Sequence, residues 1–179
     1  ISIIFSIRLN IPIFIGLFIA MLKSMVFFIY FYFYYDSSFH FHDDIVYFSQ
    51  TRDKLMGYSI VEYFFNIDSV KEAIGTNHIG YWTINFIAQK IFGSYYYSVI
   101  LVNIIFTYIS SFILYLTLKK LNYSDLFCKS FFIFSLIHWD TITWSSFLGS
   151  KEPLMFLLIS IMFYNLVIIT TEKKILLKN

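Results

Sequence analysis

Long apolar runs alternate with shorter polar stretches along this chain, at a length that fits membrane crossing. Residues 11–35 carry one charge, Lys23, in an otherwise apolar segment. A helix rising about 1.5 Å per residue needs about 20 residues to cross a hydrocarbon core of about 30 Å, so 11–35 is predicted as a first span. Pro12 suits its first turn, and the Tyr/Phe run over 27–35 suits an interfacial aromatic belt. Lys23 either snorkels toward an interface or faces a bundle interior. Residues 94–118, free of charge, predict a second span that closes on Lys119 and Lys120. Residues 126–144, with Lys129 near the start and His138 and Asp140 near the end, predict a third. Residues 153–170, opening on Pro153, predict a fourth.

Between the first two spans, residues 36–93 are too polar to cross as a whole, and their acids outnumber their bases. Helical spacing is visible over 43–56, with Ile45, Phe48, Leu55 and Met56 near one face. A second amphipathic piece over 80–92 sets Tyr81, Trp82, Phe86, Ile87 and Ile91 around Asn85, Gln89 and Lys90, and Gly93 ends it. Too short to span and rich in aromatics, it is expected to lie on the membrane surface. The predicted fold is an all-α polytopic membrane bundle, a single membrane domain over 1–179, with about four transmembrane helices and a loop bearing interfacial helices.

Composition strengthens this reading. Of the 179 residues, 59% are hydrophobic and 13% charged, against about a quarter charged in soluble domains, and the mean hydropathy is +0.71. A globule of this size cannot hide so much apolar surface. The abundance of Phe, Tyr, Ile and Lys also fits an AT-rich coding sequence, so residue choice alone carries little weight. A net charge of +2 without a basic cluster excludes a nucleic-acid partner. Cys128 is the sole cysteine, which rules out an internal disulfide or a multi-cysteine metal site and leaves it a small apolar residue of a span. The chain opens on Ile and shows no signal-peptide pattern, so it is expected to be part of a longer protein. Lysines flanking the second to fourth spans gather on one side, which the positive-inside rule assigns to the cytoplasm. The loop 36–93 and the turn 145–152 then share the outer side.

That outer side collects the residues with chemical capacity. Asp43 and Asp44 have two readings: one takes a proton from a hydroxyl while the other orients it or binds a cation, or both cap a helix start. Spacing alone favours the cap. Tyr47 and Gln50 lie at i+4 and i+7 from Asp43, on the same helical face. His40, His42 and Asp44 are metal-ligand types, but their spacing matches no strong signature and His78 is distant in sequence. Arg52 and Lys54 read as surface charges, with Arg52 also suited to an anionic substrate. In Ser150-Lys151-Glu152-Pro153 a helix N-terminus beside a lysine forms a seat for phosphate, or else a charged hinge between spans. His138 and Asp140, near the boundary, are functional candidates or simply reach water.

Taken in order, these segments resemble the membrane glycosyltransferases of the GT-C superfamily, which include polyprenyl-phosphate-dependent sugar transferases and protein O-mannosyltransferases. The resemblance is carried by His42-Asp43-Asp44-Ile45-Val46-Tyr47, His78-Ile79-Gly80-Tyr81-Trp82, Ile91-Phe92-Gly93-Ser94, Val102-Asn103, Leu118-Lys119-Lys120-Leu121 and Lys151-Glu152-Pro153-Leu154. It covers nearly all of this chain but only the N-terminal portion of such an enzyme. It implies an inverting transfer of a sugar from a polyprenyl-phosphate donor to a hydroxyl of a glycan, lipid or protein, on the outer face of a bacterial cytoplasmic membrane. The general base would be Asp43 or Asp44. Lys151 would meet the leaving phosphate and Glu152 the sugar or acceptor, with Tyr47, Arg52 and His78 as further substrate contacts. Many members need no metal, while the oligosaccharyltransferase branch uses a divalent cation held by such acids. His40 and His42 have no counterpart role.

Three other readings stand beside it. A transporter would break its helices with Gly and Pro near the membrane centre, and the chain has 6 Gly and 2 Pro. An O-antigen-type polymerase or ligase shares the architecture but is disfavoured by the lack of an arginine-rich outer loop. A non-catalytic remnant or partner subunit would need no enclosed donor site.

Overall fold

The computed structural model describes residues 1–34, 42–75 and 79–176, without the side chains of 42–44 and 172–176. The described residues form ten α-helices and no strand. They are α1 (Ser2–Arg8), α2 (Ile13–Ile29), α3 (His42–Gln50), α4 (Ile60–Phe65), α5 (Ile67–Ile74), α6 (Ile79–Phe92), α7 (Ser98–Lys120), α8 (Asp125–Ile137), α9 (Trp139–Trp144) and α10 (Glu152–Leu176). Wide π turns prolong α2 over Tyr30–Tyr34 and α3 over Thr51–Leu55.

Three helical stretches are long and apolar enough to cross a membrane: Ile13–Tyr34, Ser98–Lys120 and Glu152–Thr171. They agree with the first, second and fourth predicted spans to within a few residues at each end. Met162, Leu166 and Ile169 on α10, and Phe14 and Phe18 on α2, point outward and are half exposed or more. In water such a surface would drive association; against lipid it is the expected outer face. The architecture is that of a membrane protein.

Helix α7 is the central post. Its buried Thr107, Ser110, Ser111 and Thr117 are small enough to let α8 and α10 come close. Thr107, Ser110 and Thr117 turn their hydroxyls back onto carbonyls of α7 itself, at 2.9, 2.7 and 2.8 Å. The span begins at Ser98 rather than 94, since Gly93 takes a left-handed backbone (φ 92°) and closes α6. Ser98 Oγ then donates to Gly93 O at 2.6 Å.

The predicted third span is not one helix. α8 ends after 13 residues, about 20 Å, and His138 is extended (φ −58°, ψ 139°) before α9 starts a new turn. Asp140 falls in that first turn, where a carboxylate favours the helix dipole. Apolar content over 126–144 is high, but content does not guarantee continuity. Helix α1, unforeseen, folds back on α2, with Ser2 Oγ donating to Gly16 O at 2.5 Å. Leu9 and Ile11, at the turn, join Ile19, Tyr108, Phe132 and Leu136 in one apolar core.

The expected surface helix over 80–92 is instead the core of a second layer. Trp82 and Phe86 of α6 are buried with Leu55, Tyr63, Val70 and Ile74 from the segments around it. Tyr63 stacks on Phe86 at 4.2 Å and its hydroxyl meets Thr83 Oγ1 at 2.9 Å. Burial pushes the Tyr63 phenol up, against a smaller opposing effect of that bond. The outward apolar edge belongs to α4, through Ile60, Val61, Phe64 and Phe65. A capping box starts α4: Glu62 N donates to Ser59 Oγ at 3.1 Å and Ser59 N to Glu62 Oε2 at 2.8 Å. That backbone bond holds the Glu62 carboxyl below its usual range.

At the far end of α7, Asp125 accepts from Lys129 at 2.7 Å and Lys119 at 3.2 Å. These hydrogen bonds, Lys129 first, hold its carboxyl down to about 2. A carboxylate depressed in the folded state stabilises above its unfolded pKa of about 3.9 and loses that contribution as pH falls through the folded value. The α7–α8 clamp is therefore expected to persist at pH 4 and to open near pH 2. Carbon-13 carboxyl NMR of labelled Asp125 checks this; a midpoint near 4 would contradict the clamp.

Candidate functional site

The two layers meet where α3 rests on α6 and α6 rests on the start of α7. Tyr47 of α3 sets its ring edge-on against Tyr81 (4.9 Å) and Trp82 (4.8 Å). Tyr81 and Asn85 stand one turn apart on α6, both buried. Asn103 comes from the second turn of α7 and Glu152 from the first residue of α10. Tyr47, Asn85, Asn103 and Glu152 all act on the Tyr81 hydroxyl. Burial drives that phenol well above its ordinary value, with the Asn103 and Asn85 amides pulling the other way.

Asn103 also organises the backbone beside the site. Its side-chain amide donates to Trp144 O (3.4 Å), Leu148 O (3.2 Å) and Ser150 O (3.1 Å). Residues 145–151 are non-helical and adjoin the membrane-embedded part of α7, where free carbonyls need partners from the protein. Fixing this stretch fixes where α10 starts, and with it Glu152.

Five buried oxygen atoms here lack a hydrogen bond of full geometry: Tyr81 Oη, Asn85 Oδ1, Asn103 Oδ1, Ser150 Oγ and Glu152 Oε2, although the Asn103 and Asn85 amides stand close enough to act on the Tyr81 hydroxyl. Each unsatisfied buried polar group costs about 1–3 kcal/mol, so a cluster of them asks for an explanation. They form a seam rich in acceptors, with hydroxyls at Tyr81 and Ser150.

The predicted site residues distribute unevenly around this seam. Tyr47 and Glu152 are brought together across it, although far apart in sequence. Asp43 and Asp44 lie in the first turn of α3, with Asp43 one turn before Tyr47; their side chains lie outside the described residues. The side chain of His42, and His40 and His78 as a whole, lie outside them too. Arg52 is engaged by Asp53 at 2.8 Å and lies over the Phe48 ring at 5.3 Å. That hydrogen bond lifts the guanidinium and lowers the Asp53 carboxyl. Lys151 is exposed at the start of α10. His138 and Asp140 approach each other at 3.7 Å and line a groove with Phe134, Trp144 and Phe156. Among the described residues, no group of three His, Cys, Asp or Glu is placed to hold a metal ion.

Sequence reasoning missed Tyr81, Asn85 and Asn103 as members of one site. The signal was present: Tyr81, Asn85 and Gln89 repeat every fourth residue on a mostly apolar helix, and Asn103 is a lone amide in an uncharged span. Comparison with known protein families, with curated proteins and with solved structures finds no match to this chain.

Proposed function

We propose that the chain is the N-terminal portion of a membrane glycosyltransferase of the GT-C type. It would use a polyprenyl-phosphate-linked sugar and act on the outer face of a bacterial cytoplasmic membrane. The observation that supports this reading is the convergence of Tyr47, one turn beyond Asp43, with Tyr81, Asn103 and Glu152 on one seam of unsatisfied oxygens.

In this scheme the loop 36–93 lies outside, and the α8–α9 pair forms a broken fourth crossing. Asp43 or Asp44 takes the acceptor hydroxyl proton. The acceptor oxygen bonds to the anomeric carbon, the bond from that carbon to the phosphate oxygen breaks, and the lipid phosphate leaves toward Lys151. Glu152 and Tyr81 hold hydroxyls of the sugar. A divalent cation, where one is used, would be held by the outer-loop acids.

Membranes from cells expressing the complete gene, supplied with polyprenyl-phosphate-linked radiolabelled sugars, are expected to transfer label above vector membranes. A hydrogen bond to a charged group is worth about 1.5–3 kcal/mol, so Glu152→Gln is expected to lower kcat/KM by about tenfold or more. No transfer from any donor above the vector background would remove the reading.

A further inference from the structure

Asn165 lies on the outward face of α10 and is exposed. It stands about 20 Å from the start of the crossing Glu152–Thr171 and about 9 Å from its end. At that depth the amide faces hydrocarbon, where neither water nor lipid chains can bond to it.

The polar side chains near it on α10 avoid this problem. Ser160, Thr170 and Thr171 return their hydroxyls to carbonyls of their own helix, at 2.7, 2.9 and 2.7 Å. An amide can do the same, as Asn85 does toward Tyr81 O at 3.2 Å. Among the described residues, the Asn165 amide makes no such bond. Polar side chains on membrane helices meet this need by bonding across to another helix.

The residues around Asn165 show what kind of helix fits. Met155, Leu158, Met162, Asn165 and Ile169 follow one another at alternating steps of three and four. All five are exposed, and the four apolar ones are 50% exposed or more. Such steps trace the line along which two helices pack in a left-handed pair. Asn165 also lines a groove with Met162, Leu166, Ile169 and Thr170, a place for side chains of a facing helix.

Two copies of one chain, inserted the same way in one membrane, present α10 in parallel. Identical residues then meet at identical depth, as they do in a parallel helix pair. A carboxamide donates and accepts at once, so Asn165 of one copy satisfies Asn165 of the other. A different helix would need a polar group set at this depth; a second copy brings one without further condition.

We infer that α10 is the contact helix of a parallel dimer of this chain, with Asn165 pairing across the twofold axis. A single polar residue on such a stripe fixes register and helix number. The inference does not rest on the transferase reading, since it concerns the lipid-facing side of α10.

Cysteine cross-linking by copper phenanthroline, in membranes of cells expressing the full chain, tests this. A Cys128→Ala background removes the sole native thiol. Leu158→Cys and Met162→Cys are each expected to give a disulfide product of twice the chain mass. Ile161→Cys and Phe163→Cys, exposed but off the stripe, are expected to give much less. Added to Met162→Cys, Asn165→Leu is expected to lower the product at least about threefold, the weight of one interhelical bond in a bilayer. Asn165→Gln should preserve most of it. Equal product at all four cysteines would mark random collision and overturn the inference. So would a product whose mass shows a different protein on this face, absence of the double-mass product, or product from Met162→Cys unmoved by Asn165→Leu.

Discussion

Asp43→Asn or Asp44→Asn is expected to lower sugar transfer by about 10²–10⁴-fold, the contribution of a positioned general base, with protein level unchanged. Asparagine is the informative substitution because the bland role of these residues is helix capping. Asn and Asp cap helix starts about equally well, and losing one charge near the N-terminus of α3 costs only about 0.3–1 kcal/mol. A pure cap would therefore survive the change with activity intact. A proton acceptor would not, since the amide cannot take up a proton from a hydroxyl. Transfer rates in membranes of cells expressing each variant, normalised to the amount of folded protein, separate the two roles. Full activity in both single variants would return Asp43 and Asp44 to caps and leave the seam at Tyr81 without a base.

The largest expected effect on stability is at Asn103. Asn103→Leu keeps a side chain of similar size in the span but removes the donor that Trp144 O, Leu148 O and Ser150 O share. At about 1–3 kcal/mol for each carbonyl left bare, the loss should reach about 3 kcal/mol or more. That is a large part of the total stability of an ordinary domain, about 5–15 kcal/mol. The folded peak in size-exclusion chromatography should shrink, and the thermal midpoint in detergent should fall by many degrees. Asn103→Asp should do no better, since an ionised carboxylate has no proton for these carbonyls. An unchanged midpoint for Asn103→Leu would mean that residues 145–150 are held by something other than this amide.

What could be read ahead of the structure follows from what the bilayer demands. Crossing requires apolar length, and three of the four predicted spans appear as long apolar helices. The break at His138 was hidden because an extended residue between two short helices leaves the apolar tally unchanged. The placement of α6 went wrong for a related reason. Periodicity identifies a stripe but not what covers it, and the stripe of Tyr81, Asn85 and Gln89 is polar yet buried under α3 and α7. The exposed apolar edge fell to α4, a six-residue helix too short to show a period. Tyr47 and Glu152 were legible from helical spacing and from the Pro-led helix start. Asn103 was visible as an anomaly, but its three acceptors belong to a non-helical stretch whose path only the packed structure reveals.

The hydroxyls of α7 that bond to their own helix have a mechanical consequence. Ser160 on the facing helix does the same, donating to Phe156 O at 2.7 Å. Among the described residues, no hydrogen bond joins α7 to α10, so side-chain packing, Val99 and Val102 with Leu154 included, holds the two long helices side by side. Dispersion contacts are numerous but individually weak and undirected. Packing alone therefore supplies no directed bond that fixes how far one helix stands along the other. At one end that register is set by the stretch that Asn103 ties down just ahead of Glu152.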